Sequence, residues 1–158
     1  MNARFSFVAQ NDPRLTYTGD WIVNDAENPY VADPVYGGED RIETDNYVVP
    51  HFPDGIRQAI NAKGASFTLE TSADSVMVMG LTSKLALKAS VTVDGSDEVI
   101  GTCGPTTETT CMNQISDWVE LPGDGKTHTV KFTIPDSTED GGAGLFRFGY
   151  IIERYDGE

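Results

Sequence analysis

Leu85-Ala86-Leu87-Lys88-Ala89-Ser90-Val91-Thr92-Val93-Asp94-Gly95 sets an apolar side chain at every second position: Leu85, Leu87, Ala89, Val91 and Val93. Lys88, Ser90, Thr92 and Asp94 take the other side, and Asp94-Gly95 ends the run as a hairpin-type turn. The same period of two returns in Ala65-Ser66-Phe67-Thr68-Leu69-Glu70 and in Thr127-His128-Thr129-Val130-Lys131-Phe132-Thr133-Ile134. Strands in series with one apolar and one polar face predict antiparallel sheets packed face to face, an all-β sandwich.

Outward from these segments, the chain supplies further strands. Arg4–Ala9 and Leu15–Thr18 read as short strands joined by the turn cluster Asn11-Asp12-Pro13. Gly19-Asp20-Trp21-Ile22-Val23 leads into a long irregular region, about 24–53, with Pro29, Pro34, Pro50, Pro53 and Gly37-Gly38. Connections of that length are functional or disordered in most compact domains, and Tyr30, Tyr36 and Tyr47 argue for order. Asp54–Ala62 fits a helical turn or a strand, and the Lys63-Gly64 turn that follows favours the strand. Ser75-Val76-Met77-Val78-Met79-Gly80-Leu81 is apolar on both faces and predicts a central strand covered on both sides. Val99–Thr102 and Asp117–Leu121 flank a cysteine loop, and Pro122-Gly123-Asp124-Gly125 turns into Thr127–Ile134. The polar stretch Asp136–Gly144 precedes a last strand, Leu145–Tyr155. In that strand Phe146, Phe148, Tyr150 and Ile152 share one face, which predicts that they fill the core. Leu145, Arg147, Gly149, Ile151 and Glu153 take the opposite face, more apolar than a solvated face, which predicts cover by the long loop or a subunit contact.

The 158 residues make a single domain, 1–158, large enough for a continuous core, and 16 glycines with 8 prolines suit a turn-rich β fold. A net charge of −14, from 25 acidic against 11 basic residues, repels phosphate backbones and anionic membranes. Lysine and arginine occur singly, so neither nucleic acid nor membrane insertion is expected. Met1-Asn2-Ala3-Arg4-Phe5-Ser6-Phe7-Val8 carries no apolar run of signal-peptide length, and the expectation is a cytoplasmic protein. Cys103 and Cys111 bracket a seven-residue loop; a loop-pinning disulfide and two free thiols both stand open. Two cysteines and the distant His51 and His128 are a poor zinc set, so no metal and no cofactor is expected.

Four wordings occur in order: Tyr17-x-Gly19-Asp20-Trp21; Gly64-Ala65-Ser66-Phe67 before Val76-Met77-Val78-Met79-Gly80; Val91-x-Val93-Asp94-Gly95; and Leu121-Pro122-Gly123-x-Gly125-x-x-His128-Thr129-Val130. In this order the chain resembles the galactose-binding-domain-like jelly rolls common in fungal proteins, over Leu15 to Ile152. Among these it is most similar to leaderless mushroom fruiting-body lectins. The resemblance implies a jelly-roll sandwich and a glycan ligand, and it carries no binding site residue by residue. The last strand departs from the pattern: Phe146-Arg147-Phe148-Gly149-Tyr150 lacks the acidic residue that often precedes the aromatic.

Enzyme motifs are absent: no Gly-x-Ser-x-Gly, no phosphate loop, no His-Glu-x-x-His. No catalytic residue is singled out, and His128 opens a strand where a structural role suffices. Binding is better supported, because sugars pair apolar C–H faces with dense hydroxyls and need aromatic platforms beside planar hydrogen-bonders. The candidates are Tyr36, Asp40, Arg41, Tyr47 and His51 in the long loop and Trp118 beside the cysteine loop. Trp118 alternates with Val119 and fits core or surface equally, whereas Trp21 at a strand start reads as core. The expected function is non-enzymatic recognition of terminal neutral sugars, galactose- or fucose-type, by a homo-oligomer. The alternatives are a structural or cell-surface interaction domain without a sugar site, and an esterase or glycosidase.

Overall fold

The structure, a computed structural model, describes residues 2–24, 30–32, 41–43, 54–60, 64–82, 89–98, 101–103, 111–114, 117–134 and 145–157. Among these residues there are strands and no helix. In chain order they are β1 (Arg4–Ala9), β2 (Leu15–Thr18), β3 (Ile22–Asn24), β4 (Tyr30–Ala32), β5 (Arg41–Glu43), β6 (Ile56–Ile60) and β7 (Ser66–Thr71). Then follow β8 (Ser75–Thr82), β9 (Ala89–Val93), β10 (Gly101–Cys103), β11 (Cys111–Gln114), β12 (Val119–Glu120), β13 (His128–Thr133) and β14 (Leu145–Tyr155).

Two antiparallel sheets form the sandwich. One has seven strands in the order β11-β8-β14-β6-β3, with β1 on β14 and β12 on β8; the other has five, β10-β9-β13-β7-β2. Links such as β2 to β3, β7 to β8, β10 to β11 and β13 to β14 pass from one sheet to the other, the wrapping of a jelly roll. The Asp-Gly turn forms as its sequence demands, with Asp94 (φ 54°) and Gly95 (φ 71°) both left-handed. Gly19 (φ +98°) lets the β2–β3 corner lie against Ala65, whose Cα is 2.9 Å from where a side chain would start.

The core is an aromatic stack sealed by aliphatics. Phe67 of β7 lies between Phe132 of β13 (centroids 4.7 Å apart) and Phe148 of β14 (4.5 Å), both nearly parallel to it. Trp21 meets Phe67 edge-on at 5.9 Å and is partly buried against the core, as its place at a strand start predicts. Val76, Val78, Val91, Val130, Phe146 and Ile151 close the interior. Truncating such a ring costs about 3–5 kcal/mol. Leu87 and the rest of Leu85–Lys88 lie outside the described residues.

Two expectations are corrected. The first is the facing of β14. Its pairing with β8 shifts between Phe148 and Tyr150, a bulge that consumes Gly149 and inverts the alternation. Phe146 and Phe148 point into the core as expected, but beyond the bulge Ile151 (0% exposed) and the buried Glu153 do so, and Tyr150 and Ile152 turn outward. Arg147, Gly149 and Ile151 are buried within the single chain, so none of them stands ready for a subunit contact. The second concerns the region 24–53, which is not wholly irregular: β4 and β5 pair antiparallel, Tyr30 opposite Glu43.

Candidate functional site

Among the polar clusters of the sandwich, those of Glu153 and His128 hold the candidate acid and base. Glu153 reaches from the inner face of β14 and gathers donors from four segments. Arg14 binds it with both terminal nitrogens (3.1 Å each), Ser6 Oγ donates at 2.9 Å, Tyr155 Oη at 3.1 Å, and Thr71 Oγ1 completes the set. Burial pushes the Glu153 carboxyl up, but the hydrogen bonds from Arg14, Thr71 and Ser6 and the charge of Arg14 outweigh it and hold it below the usual range. Every oxygen lone pair with a role is committed to the fold, and the cluster ties β1 to the start of β2, the end of β7 and β14.

His128 forms the second cluster. Its Nδ1 lies 2.6 Å from Asp94 Oδ2 and its Nε2 2.7 Å from Asp124 Oδ1. The hydrogen bonds to Asp124 and then Asp94 raise its pKa. The ring therefore clips the β9 turn to the Pro122–Lys126 turn, and its nitrogens have no hydroxyl or thiol to activate, consistent with the structural role read from its strand-opening position.

The outer face of the seven-stranded sheet differs in kind. Because the bulge turns Tyr150, Ile152 and Arg154 outward, they line up with Phe5 and Phe7 of β1 and with Met77 and Met79 of β8. Phe5 is 53% and Phe7 68% exposed, among the few large apolar side chains of the described residues left in solvent. Phe7 meets Tyr150 edge-on at 5.7 Å. Trp118, whose neighbour Val119 points into the core, comes out on this face with its ring 6.2 Å from Phe5. The Arg154 guanidinium lies 5.4 Å from the centre of the Trp118 ring, with its Nε donating to Asp156 Oδ1 at 3.1 Å.

Asp74 fixes this rim. Its N–H donates to the Arg154 carbonyl (2.9 Å), its carbonyl accepts from Leu121 N (2.9 Å), and its carboxylate accepts from Asp156 N (2.7 Å). The strand end that carries Arg154 and the segment that follows Trp118 are thereby held to one turn.

Of the residues singled out from sequence, Trp118 is placed on this aromatic face, half-buried. Arg41 begins β5 opposite Ala32 of β4. Tyr36, Asp40, Tyr47 and His51 lie outside the described residues, as does the loop between Cys103 and Cys111. Phe5, Phe7, Tyr150 and Arg154 escaped the sequence reading. The signal available was Phe5-Ser6-Phe7-Val8, in which only one of two apolar faces can enter the core; Ser6, drawn inward to Glu153, decides which.

No family model matches the chain, and no curated protein sequence matches it. Its fold is found in solved structures of a two-domain esterase active on acetylated mannans. The form co-crystallised with mannopentaose matches at a TM-score of 0.60 and 17% identity, over 98% of this chain and 37% of that one. A second structure of that esterase matches at a TM-score of 0.56, with the same identity and coverage. The chain thus spans about 37% of the length of these neighbours, and at this identity the likeness is one of fold. Among the described residues no helix is long and apolar enough to cross a membrane.

Proposed function

We propose that this chain is a non-enzymatic glycan-binding protein, a lectin for neutral sugars, acting through the outer face of its seven-stranded sheet. The observation that carries the reading is the aromatic group of exposed Phe5 and Phe7 with half-buried Tyr150 and Trp118, and one guanidinium beside it. Aromatic rings bind the apolar faces of pyranoses, and a planar fork of N–H donors matches their paired hydroxyls. Galactose and fucose, the sugars of the lectin resemblance, qualify; so does mannose, the sugar of the polymer on which the structural neighbour acts. A binding role is favoured over an esterase because His128, the histidine of the described residues, is committed to two carboxylates.

A face this open holds a small ligand weakly, and several copies in one particle raise avidity by about 10²–10⁴. Self-association is therefore part of the proposal, with light scattering as its check. The function itself is tested on galactose-, fucose- and mannose-coated resins. Retention with release by the free sugar is expected, and Trp118→Ala should lose it while keeping the β-type circular dichroism. Flow-through on every neutral sugar contradicts the reading and favours an interaction domain without a sugar site.

A further inference from the structure

We infer that the outer face, from Trp118 across β8 and β14 to Phe5 and Phe7 on β1, is a platform for the internal sugars of an unbranched, uncharged polysaccharide. This goes beyond the glycan-binding reading and rests on it. The Trp118 ring reaches back over β8 to within 6.2 Å of Phe5, Phe7 follows about 7 Å further along β1, and Tyr150 lies 5.7 Å from Phe7, so four neighbouring rings make up the surface. That is wider than one pyranose, which is about the size of the phenyl ring it stacks on. Ile152 and Phe7 lie side by side on neighbouring strands, with Met79 and Tyr150 in the next row, and Met77, opposite Ile152, is buried. Phe5 and Phe7 sit on β1, which among the described strands pairs with β14 alone and so forms an edge of the sheet there. A terminal sugar calls for a cavity that closes round it. A platform takes a chain that enters on one side and leaves on the other.

Charge and area both select this occupant. Among the described residues the solvent-facing cation of this face is Arg154, balanced by Asp156, and Glu120 stands at the far rim beyond Trp118, so the face offers no net positive charge to an anionic chain. With Nε given to Asp156, the two Nη atoms of Arg154 have no acceptor among the described residues and stand beside the Trp118 ring as hydroxyl donors. Beneath them Ser75, 0% exposed and opposite both Arg154 and Glu120, keeps a hydroxyl without a partner. At about 200 Å² for a fully exposed phenylalanine, Phe5 and Phe7 together present about 240 Å² of residue surface. Even with the half-buried rings added, the patch falls well short of the roughly 800 Å² per partner that a stable protein interface buries. It is of the size of a few sugars, not of a second copy of the chain.

The test is titration calorimetry of the whole protein with mannose, mannopentaose and linear mannan, and with the matching galactose and glucose series. In at least one series, affinity per binding site should rise at least tenfold from monosaccharide to pentasaccharide and hold in the polymer. Phe7→Ala and Phe5→Ala, with unchanged circular dichroism, should each weaken the pentasaccharide at least fivefold. Binding that is equal for mono- and pentasaccharide overturns the platform and leaves the glycan reading standing. Binding to no neutral glycan of any length overturns both. Chain-length dependence that survives both phenylalanine variants places the polymer elsewhere and overturns this assignment. A wild-type oligomer that Phe7→Asp dissociates makes the face a protein interface, and also overturns it.

Discussion

Glu153→Gln probes the buried clasp with the least change of shape. The amide replaces one acceptor oxygen by an NH₂, and the partners respond differently. Ser6, Thr71 and Tyr155 have hydroxyls that reverse from donor to acceptor, whereas the guanidinium of Arg14 has five donors and no acceptor. The loss therefore falls on one of the two 3.1 Å bonds to Arg14, while the other keeps an oxygen acceptor but loses its anionic charge. Each hydrogen bond to a charged group is worth about 1.5–3 kcal/mol. Arg14 is 39% exposed and regains water when released, which discounts the sum. The net cost is about 2–3 kcal/mol, and at about 2–4 °C per kcal/mol for a chain of this size the melting temperature falls by roughly 5–10 °C. The pH dependence follows from the depressed carboxyl. A folded-state pKa below the unfolded one gives stability that is complete above about pH 4.3 and disappears as pH falls through the folded value. Urea unfolding of both proteins should show a constant gap from neutral pH down to about pH 5, closing below about pH 4. A variant within about 0.5 kcal/mol of wild type at pH 7, or a gap that persists at low pH, refutes the clasp.

Two further outcomes follow from the same geometry. Ile151→Arg should cost more than about 4 kcal/mol, since it buries a charge among Val8 and Val78, while Ile152→Arg on the outer face should cost about 1 kcal/mol or less; equal effects by urea unfolding would deny the bulge. His128→Ala should lower the melting temperature most between about pH 4 and pH 6.5, where the aspartates are ionised and the histidine is protonated in both states. The raised His128 pKa means that this difference fades as pH rises through the folded value, and a difference that grows toward alkaline pH contradicts the clip.

The sandwich was legible because alternation is a backbone property: in 65–70 and 127–134 the apolar positions are those that enter the core, and Leu145–Tyr155 is a strand with the expected ends. The outer platform was not legible, for a reason that lies in one residue. From Phe146 to Ile152 the chain is apolar at nearly every position, so alternation does not say where parity changes, and only the pairing of β14 with β8 reveals that Gly149 takes the bulge. With parity inverted, Tyr150 and Arg154 join Phe5, Phe7 and Trp118, and Glu153 turns inward, where an acid would not be sought without Arg14 and Thr71 in view. Trp118 was legible as a candidate because it neighbours a core valine, but its side of the sheet became fixed only by the short pairing of β12 with β8.

The central claim, that the outer face holds glycan, is tested most directly by amide and indole nuclear magnetic resonance of the labelled protein titrated with mannopentaose and with the matching galactose and glucose pentasaccharides. The account predicts saturable shifts, for at least one of them, concentrated at the Trp118 indole N–H and at Phe5, Phe7, Tyr150, Ile152 and Arg154, with the opposite sheet unmoved. Shifts confined to 24–53, or none with any of the three, would contradict it.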